Sequence, residues 1–380
     1  MPRLSPARSP LLGGATPASF LRRHWQKDAL LIRGAIPDFV GLHTRTQLFA
    51  LAQRDDVESR LLVREGRRWT MEHGPFPARV LRGLPATQWT LLVQGVNLHC
   101  DAADALLRRF AFLPFARLDD LMVSYAAPGG GVGPHFDSYD VFLLQGFGRR
   151  RWRYGRQDDL SLRPGLPVKI LQRFVPAHDA VLEPGDMLYL PPAFAHDGIA
   201  VDACTTYSIG FRAASHQELA EAFFDWLRDE VKLPGRYTDP AARPTPEPAR
   251  VGATMVREAA AALARARWNR AAVARFLGAM LSEPKSHVVF EAPAGGMSRA
   301  RIDSALRRHG VKLDRRTQWL YDDVSIFLNG NVHPWPAGDR QPLMQLANLR
   351  ALPASAVPAL SADARAFLHQ AHDDGYLHTG

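Results

Sequence analysis

The chain has 380 residues, 46% of them hydrophobic, which is ample for more than one packed domain. Its two cysteines, Cys100 and Cys204, exclude a disulfide framework and a four-cysteine zinc site, and suit a reducing interior. A formal net charge of +9, almost all of it arginine and spread along the chain, allows a polyanion nearby but defines no nucleic-acid interface.

In chain order, MPRLSPARSPLLGGATPASF lacks the apolar run of a signal peptide. No later stretch reaches the ~20 apolar residues of a membrane span, so a cytoplasmic protein without a membrane segment is expected. RRHWQKDALLIRGAIP and the helix-like TRTQLFALAQ lead into a sheet. From Leu118 to Ala213 short apolar or alternating runs (LMVSYAA, YDVFLLQGFG, RRRWRYG, MLYLPP, TTYSIGFRA) are separated by turn signals, which predicts a small antiparallel barrel or sandwich. After Ser215 the period changes: Leu219, Phe223, Trp226 and Leu227 recur at helical spacing. A Pro-rich connection, LPGRYTDPAARPTPEPARVG, then precedes ATMVREAAAALARARWNRAAVARFLGAMLS, one long helix or two. Its apolar content suits packing either within the chain or on a second copy. The remainder carries a helix at SRARIDSALRRHG, a hairpin at SIFLNGNVHPW with an Asn-Gly turn, and a helix at ADARAFLHQAHDDG, a set compatible with a winged helix. Charges in this last segment nearly cancel, so direct nucleic-acid binding is not expected of it.

One short motif carries chemistry. GGGVGPHFDSYD places His135 and Asp137 one residue apart after a glycine loop, and reading HFDSYDVFLL as a strand puts both on one face with Tyr139 and Val141. His-x-Asp alone is common; His372 and Asp374 make a second copy. Context favours the first, because EPGDMLYLPPAFAHDG offers a turn, a strand and then His196. Two histidines and one carboxylate form the facial triad of non-heme Fe(II) oxygenases, which leaves positions open for cosubstrate and oxygen. Gly185, Pro191 and His196 resemble the second cupin motif, with Ala193 where that motif has Gly. The segment from Gly129 to Asp137 resembles the first, without its Glu ligand. This points to iron and 2-oxoglutarate oxygenases. Such an enzyme needs a cation for the distal carboxylate, and in GRRRWRYG alternation sets Arg150 with Trp152 and Tyr154, opposite Arg149, Arg151 and Arg153. On the preceding strand Asp120, Met122 and Ser124 share a face; in TTYSIGF so do Thr206 and Ser208.

Together these stretches resemble the bacterial JmjC-type ribosomal oxygenases, Fe(II)- and 2-oxoglutarate-dependent enzymes that hydroxylate an arginine β-carbon of the sixteenth large-subunit ribosomal protein. The resemblance implies an α+β chain: a double-stranded β-helix of the cupin/JmjC type over 1–214, a helical dimerisation module over 215–284 and a winged-helix domain over 285–380. It further implies iron on His135, Asp137 and His196, and 2-oxoglutarate on Arg150, Ser124 and Thr206. Asp120, Met122 and Tyr139 would line the substrate pocket of a homodimeric enzyme whose partner is a ribosomal protein, and Ser208, from its strand face, would add a hydroxyl to it. Two alternatives remain open at this point: a JmjC hydroxylase or demethylase acting on another residue, and a non-catalytic scaffold that binds ribosomal RNA.

Overall fold

The computed structural model describes residues 10–240, 242–293 and 297–380. Its N-terminal part opens with helix α1 (Pro17–Arg23), started by the Thr16 hydroxyl accepting from the Ser19 N–H and by Pro17 at the first helical position. Strand β1 (Leu30–Ile32) and helix α2 (Arg45–Leu51) follow, α2 under a reciprocal capping box between Thr44 and Gln47. Next come β2 (Ser59–Glu65), β3 (Arg68–His73), α3 (Ala78–Arg82), β4 (Trp89–Val93) and α4 (Asp101–Arg108). The segment expected to form the sheet contains β5 (Leu118–Ala126), β6 (Val141–Gln145), β7 (Arg150–Arg156), β8 (His178–Leu182), β9 (Met187–Leu190), β10 (Phe194–Ala200) and β11 (Cys204–Phe211).

These strands form two facing antiparallel sheets, one in the order β1-β9-β6-β11-β5-β4-β2-β3 and a smaller one in the order β10-β7-β8. This is the double-stranded β-helix that the motifs imply. The two faces of the large sheet divide by residue parity. Leu91, Val93, Val123, Tyr125, Tyr207 and Ile209 point outward into a core shared with Phe20, Leu48 and Leu106 of α1, α2 and α4. On the opposite face Arg60, Leu92, Ser124, Thr206 and Gln145 stand in register across five strands. Apart from Leu92 that row is polar, on the face turned away from the shared core.

The sequence reading of HFDSYDVFLL as one strand is corrected. β6 begins only at Val141; His135 to Asp140 lie outside any strand, His135 making an isolated bridge to His196. The chain bends at Ser138 and Tyr139, between the His135 bridge and Val141, so the run does not continue as one ladder.

Beyond the barrel, α5 (His216–Glu230) starts at Ser215 under a capping box with Glu218. The Ala/Leu/Arg-rich stretch forms two helices, α6 (Ala253–Leu263) and α7 (Arg270–Ser282), separated at Asn269, whose side chain accepts from the Ala272 N–H. A last unit contains α8 (Arg299–His309), β12 (Val311–Leu313), β13 (Trp319–Tyr321), β14 (Ser325–Leu328), β15 (Asn331–Pro334), α9 (Arg340–Leu349), β16 (Ala351–Leu352), α10 (Ala362–Asp373) and β17 (Leu377–Thr379). It has its own core, built around Ile302, Leu306, Trp319, Leu343 and Leu368. Asn329 and Gly330, both at positive φ, make the hairpin turn between β14 and β15. The second His-x-Asp falls in α10, with His372 buried in the helix and Asp374 at its C-cap. No helix among the described residues is long and apolar enough to cross a membrane.

Candidate metal and cosubstrate site

The glycine loop exists to lay a backbone against the edge of β10. Gly129 donates to the Ala200 carbonyl (2.8 Å), Ala200 returns a bond to Gly130 (2.9 Å), and His135 and His196 exchange both backbone bonds at 2.9 and 2.8 Å. A Cβ on Gly130 would stand 2.2 Å from the Trp89 carbonyl oxygen, so no larger residue fits there. The Ala193 N–H fastens the Asp137 carbonyl at 2.8 Å. The result is a cluster of His135, Asp137 and His196 whose ligand atoms all lie within 4.8 Å of one another, the sole such group among the described residues.

The two histidines are oriented for metal. His135 Nδ1 lies 2.8 Å from the Gly133 carbonyl and His196 Nδ1 lies 2.9 Å from that of Phe194. A carbonyl can only accept, so each ring carries its proton on Nδ1 and presents the Nε2 lone pair to the cluster. Asp137 Oδ2 stands 3.7 Å from His196 Nε2. Burial, reinforced by His135 and opposed by Asp137, pushes the His196 imidazole down to about 4, which keeps it neutral, the form that ligates a metal. The chemistry of this donor set fits Fe(II).

Ala193, where the motif has Gly, takes φ of 63° and is exposed. A Cβ in the left-handed region is costly and here gains no packing. Ala193→Gly is therefore expected to raise stability by up to about 1 kcal/mol in chemical denaturation. A loss of stability would show that this conformation is not strained.

Alternation in β7 places Arg150, Trp152 and Tyr154 inside. Arg149, Arg151 and Arg153 point outward and pair with Asp202, Asp179 and Asp197 at 2.9, 2.5 and 2.5 Å. Arg150 is 4% exposed, and among the described residues the only hydrogen bond of its side chain is from Nη1 to the Ser124 hydroxyl (3.3 Å); Nε and Nη2 are buried with no partner. A buried guanidinium without an anion is costly, and its fork matches a carboxylate. Thr206 lies on the same row, but its hydroxyl proton is committed to Gln145 Oε1 at 3.1 Å. Gln145 in turn holds the Phe147 and Gly148 carbonyls of the turn that leads into Arg150.

Met122 lies directly across from Ser208, and Tyr139 is exposed on one side while its hydroxyl lies in the field of Asp137, Asp120 and Arg60. Asp120, expected to line the substrate pocket, is 7% exposed and has partners on one oxygen. Its Oδ2 already accepts from the Gly95 N–H (3.1 Å) and from Lys285 Nζ (3.0 Å). Sequence reasoning missed Lys285, Gln145 and Arg60. Arg60 shares the inward row, and its buried Nε has no partner among the described residues. Alternation through SRLLVRE is the signal that could have found it.

A double-stranded β-helix that gathers two histidines and an aspartate beside a buried, unpaired arginine defines the oxygenase barrel of metal- and 2-oxoglutarate-dependent enzymes. Comparison with known proteins agrees. Residues 105–219 match the JmjC domain family and residues 265–378 match the ROXA-like winged helix. The chain is 42% identical over 235 residues to the Escherichia coli "Ribosomal protein uL16 3-hydroxylase", covering 61% of this chain and 62% of that protein. A "Probable ribosomal oxygenase" of Haemophilus influenzae is 40% identical over 201 residues, 52% of this chain and 50% of that one. These curated relatives are thus matched over less than two thirds of their length. The crystal structure of E. coli YcfD superposes with a TM-score of 0.82 at 32% identity, covering 95% of this chain and 97% of that chain. The YcfD complex with cobalt and 2-oxoglutarate superposes with a TM-score of 0.81. The chain belongs to the JmjC-type ribosomal oxygenase family.

Proposed function

We propose that this chain is an Fe(II)- and 2-oxoglutarate-dependent dioxygenase that hydroxylates the β-carbon of an arginine side chain in the sixteenth large-subunit ribosomal protein. The observation that carries this reading is the intact triad together with the Arg150 guanidinium that lacks an anion, in a chain similar over 95% of its length to a ribosomal oxygenase. His135, Asp137 and His196 would hold the metal. Arg150, with Ser124 at its side, takes the distal carboxylate of 2-oxoglutarate, and Thr206 keeps Gln145 and the β6–β7 turn in place behind it. Bound iron supplies the activation of oxygen that is coupled to decarboxylation of 2-oxoglutarate to succinate. The barrel walls, with Leu92, Trp152 and Leu188 buried between the sheets, keep bulk water from the reacting atoms. Met122 and Tyr139 pack the methylene stem of the substrate arginine, while Asp120 and Ser208 receive its guanidinium. Incubation of the recombinant ribosomal protein with enzyme, Fe(II) and 2-oxoglutarate tests the reading. Gain of one oxygen atom on arginine, matched by succinate, is expected. Release of formaldehyde, or oxygen on histidine, would redirect it to another JmjC chemistry, and no turnover at all would favour the scaffold.

The chain is read as three units, 1–214 catalytic, 215–284 dimerising and 285–380 winged-helix, in a cytoplasmic homodimer. What supports dimerisation is the unpartnered apolar surface of the helices: α6 buries no residue, and Phe224, Met255, Val256, Leu263 and Trp268 are exposed, Leu263 by 70%. Sedimentation of the whole protein is expected to give a dimer at micromolar concentration, and a monomer there would refute it.

A further inference from the structure

Lys285 lies three residues beyond the end of α7, outside the barrel in sequence, yet its ammonium reaches the first residues of β5. It stands 3.0 Å from Asp120 Oδ2 and 3.4 Å from Asp119 Oδ1. Its segment is fastened on both sides. Arg212, which follows β11, donates to the Leu281 carbonyl at the end of α7 (2.7 Å) and lies 3.7 Å from Asp119. The Gly330 N–H at the winged-helix hairpin turn donates to Ser282 Oγ at 3.1 Å. Asp120 is 7% exposed and shares inward parity with Met122 and Ser124. Both clamps, Lys285 and the Gly95 N–H, act on Oδ2. Oδ1 makes no hydrogen bond to the described residues and lies beside Gly210, 3.8 Å from where a Cβ would stand.

We infer that Lys285 is a positioning residue of the substrate site: it fixes one oxygen of Asp120 so that the other is free, and correctly turned, for the guanidinium of the incoming arginine. The inference rests on the reading of Asp120 as a substrate contact. A carboxylate gripped at one oxygen cannot rotate away, and a charge-assisted bond to a planar guanidinium depends on that plane. The cation also keeps the group an acceptor. Burial pushes the Asp120 carboxyl upward and Lys285 opposes it, while burial of Lys285 is outweighed by the two carboxylates, which leave it charged. Without the ammonium, a carboxyl this buried turns toward the protonated form and loses acceptor strength. The segment that follows α7, at the junction with the winged-helix unit, therefore supplies part of the substrate site, which the barrel alone leaves unfinished.

Steady-state kinetics of the full-length enzyme with the recombinant ribosomal protein provide the test. Lys285→Met, which keeps most of the side-chain volume, is expected to raise the KM for the protein substrate about tenfold, with kcat and the KM for 2-oxoglutarate within about twofold. Lys285→Arg, which keeps the charge, should recover most of the loss. Asp120→Ala should raise the same KM, and combining it with Lys285→Met should add little, because the two act as a unit. A Lys285→Met enzyme with unchanged or lower KM, beside an Asp120→Ala enzyme with raised KM, overturns the positioning role alone. Asp120→Ala without effect overturns the underlying reading of Asp120, and failure of Lys285→Arg to rescue overturns the charge argument.

Discussion

Replacing any one of His135, Asp137 or His196 by alanine is expected to lower metal affinity and 2-oxoglutarate turnover by roughly a hundredfold or more, since even loss of a residue that merely orients a ligand costs up to about that much. The three contribute in different ways. His135 and His196 are locked by Nδ1–H bonds to the Gly133 and Phe194 carbonyls, so each brings a pre-oriented Nε2, and alanine removes a ligand that costs no further ordering. Asp137 brings the negative charge, held through its own carbonyl by the Ala193 N–H. Anaerobic titration with Fe(II) or Co(II) reads affinity without depending on activity. Unchanged affinity in all three variants would place the metal elsewhere.

The second large effect is expected at Arg150. A hydrogen-bonded charge pair is worth about 1.5–3 kcal/mol, and ~1.4 kcal/mol is a factor of ten in an equilibrium constant. Arg150→Ala should accordingly raise the KM for 2-oxoglutarate ten- to a hundredfold by those constants. Arg150→Lys should raise it several-fold, because a point charge on a shorter reach loses the two-pronged contact. The flanking arginines are internal controls. Arg149 and Arg151 are half exposed and paired on the surface, where an ion pair contributes about 0–1 kcal/mol. Their lysine variants should leave the KM for 2-oxoglutarate unmoved. The reverse pattern, with Arg150→Lys silent and Arg149→Lys or Arg151→Lys impaired, would mean that β7 presents the other face to the cosubstrate.

Much of the site was legible because it depends on local periodicity. In GRRRWRYG, a period of two is enough to separate one buried arginine from three solvated ones, since Trp152 and Tyr154 mark the apolar face. The same parity sets Asp120, Met122 and Ser124 on the inner face of β5. It fails at HFDSYD, where alternation suggests a strand but the backbone bonds go to one edge of β10 instead of a continuous ladder. The triad still forms, because the His135–His196 bridge achieves the closeness that a shared strand face was invoked to explain. The helices after Ser215 and in SRARIDSALRRHG were legible for a related reason, as their period lies within one continuous stretch of chain. The hidden parts are those made by distant residues. Lys285 meets Asp120 across 165 positions, and Gln145 meets Thr206 across 61. No local pattern encodes these pairs, and the sheet order that produces the second became visible only in three dimensions.

Whether this barrel places an oxygen atom on a ribosomal arginine is read out by fragment-ion mass analysis of large-subunit ribosomal proteins from cells with and without the gene. The sixteenth large-subunit protein from wild-type cells is expected to be heavier by one oxygen atom, located on a single arginine, while cells lacking the gene, or carrying only the His135→Ala form, show the unmodified mass. Identical masses in all three strains, or an added oxygen on a residue other than arginine, would contradict that expectation.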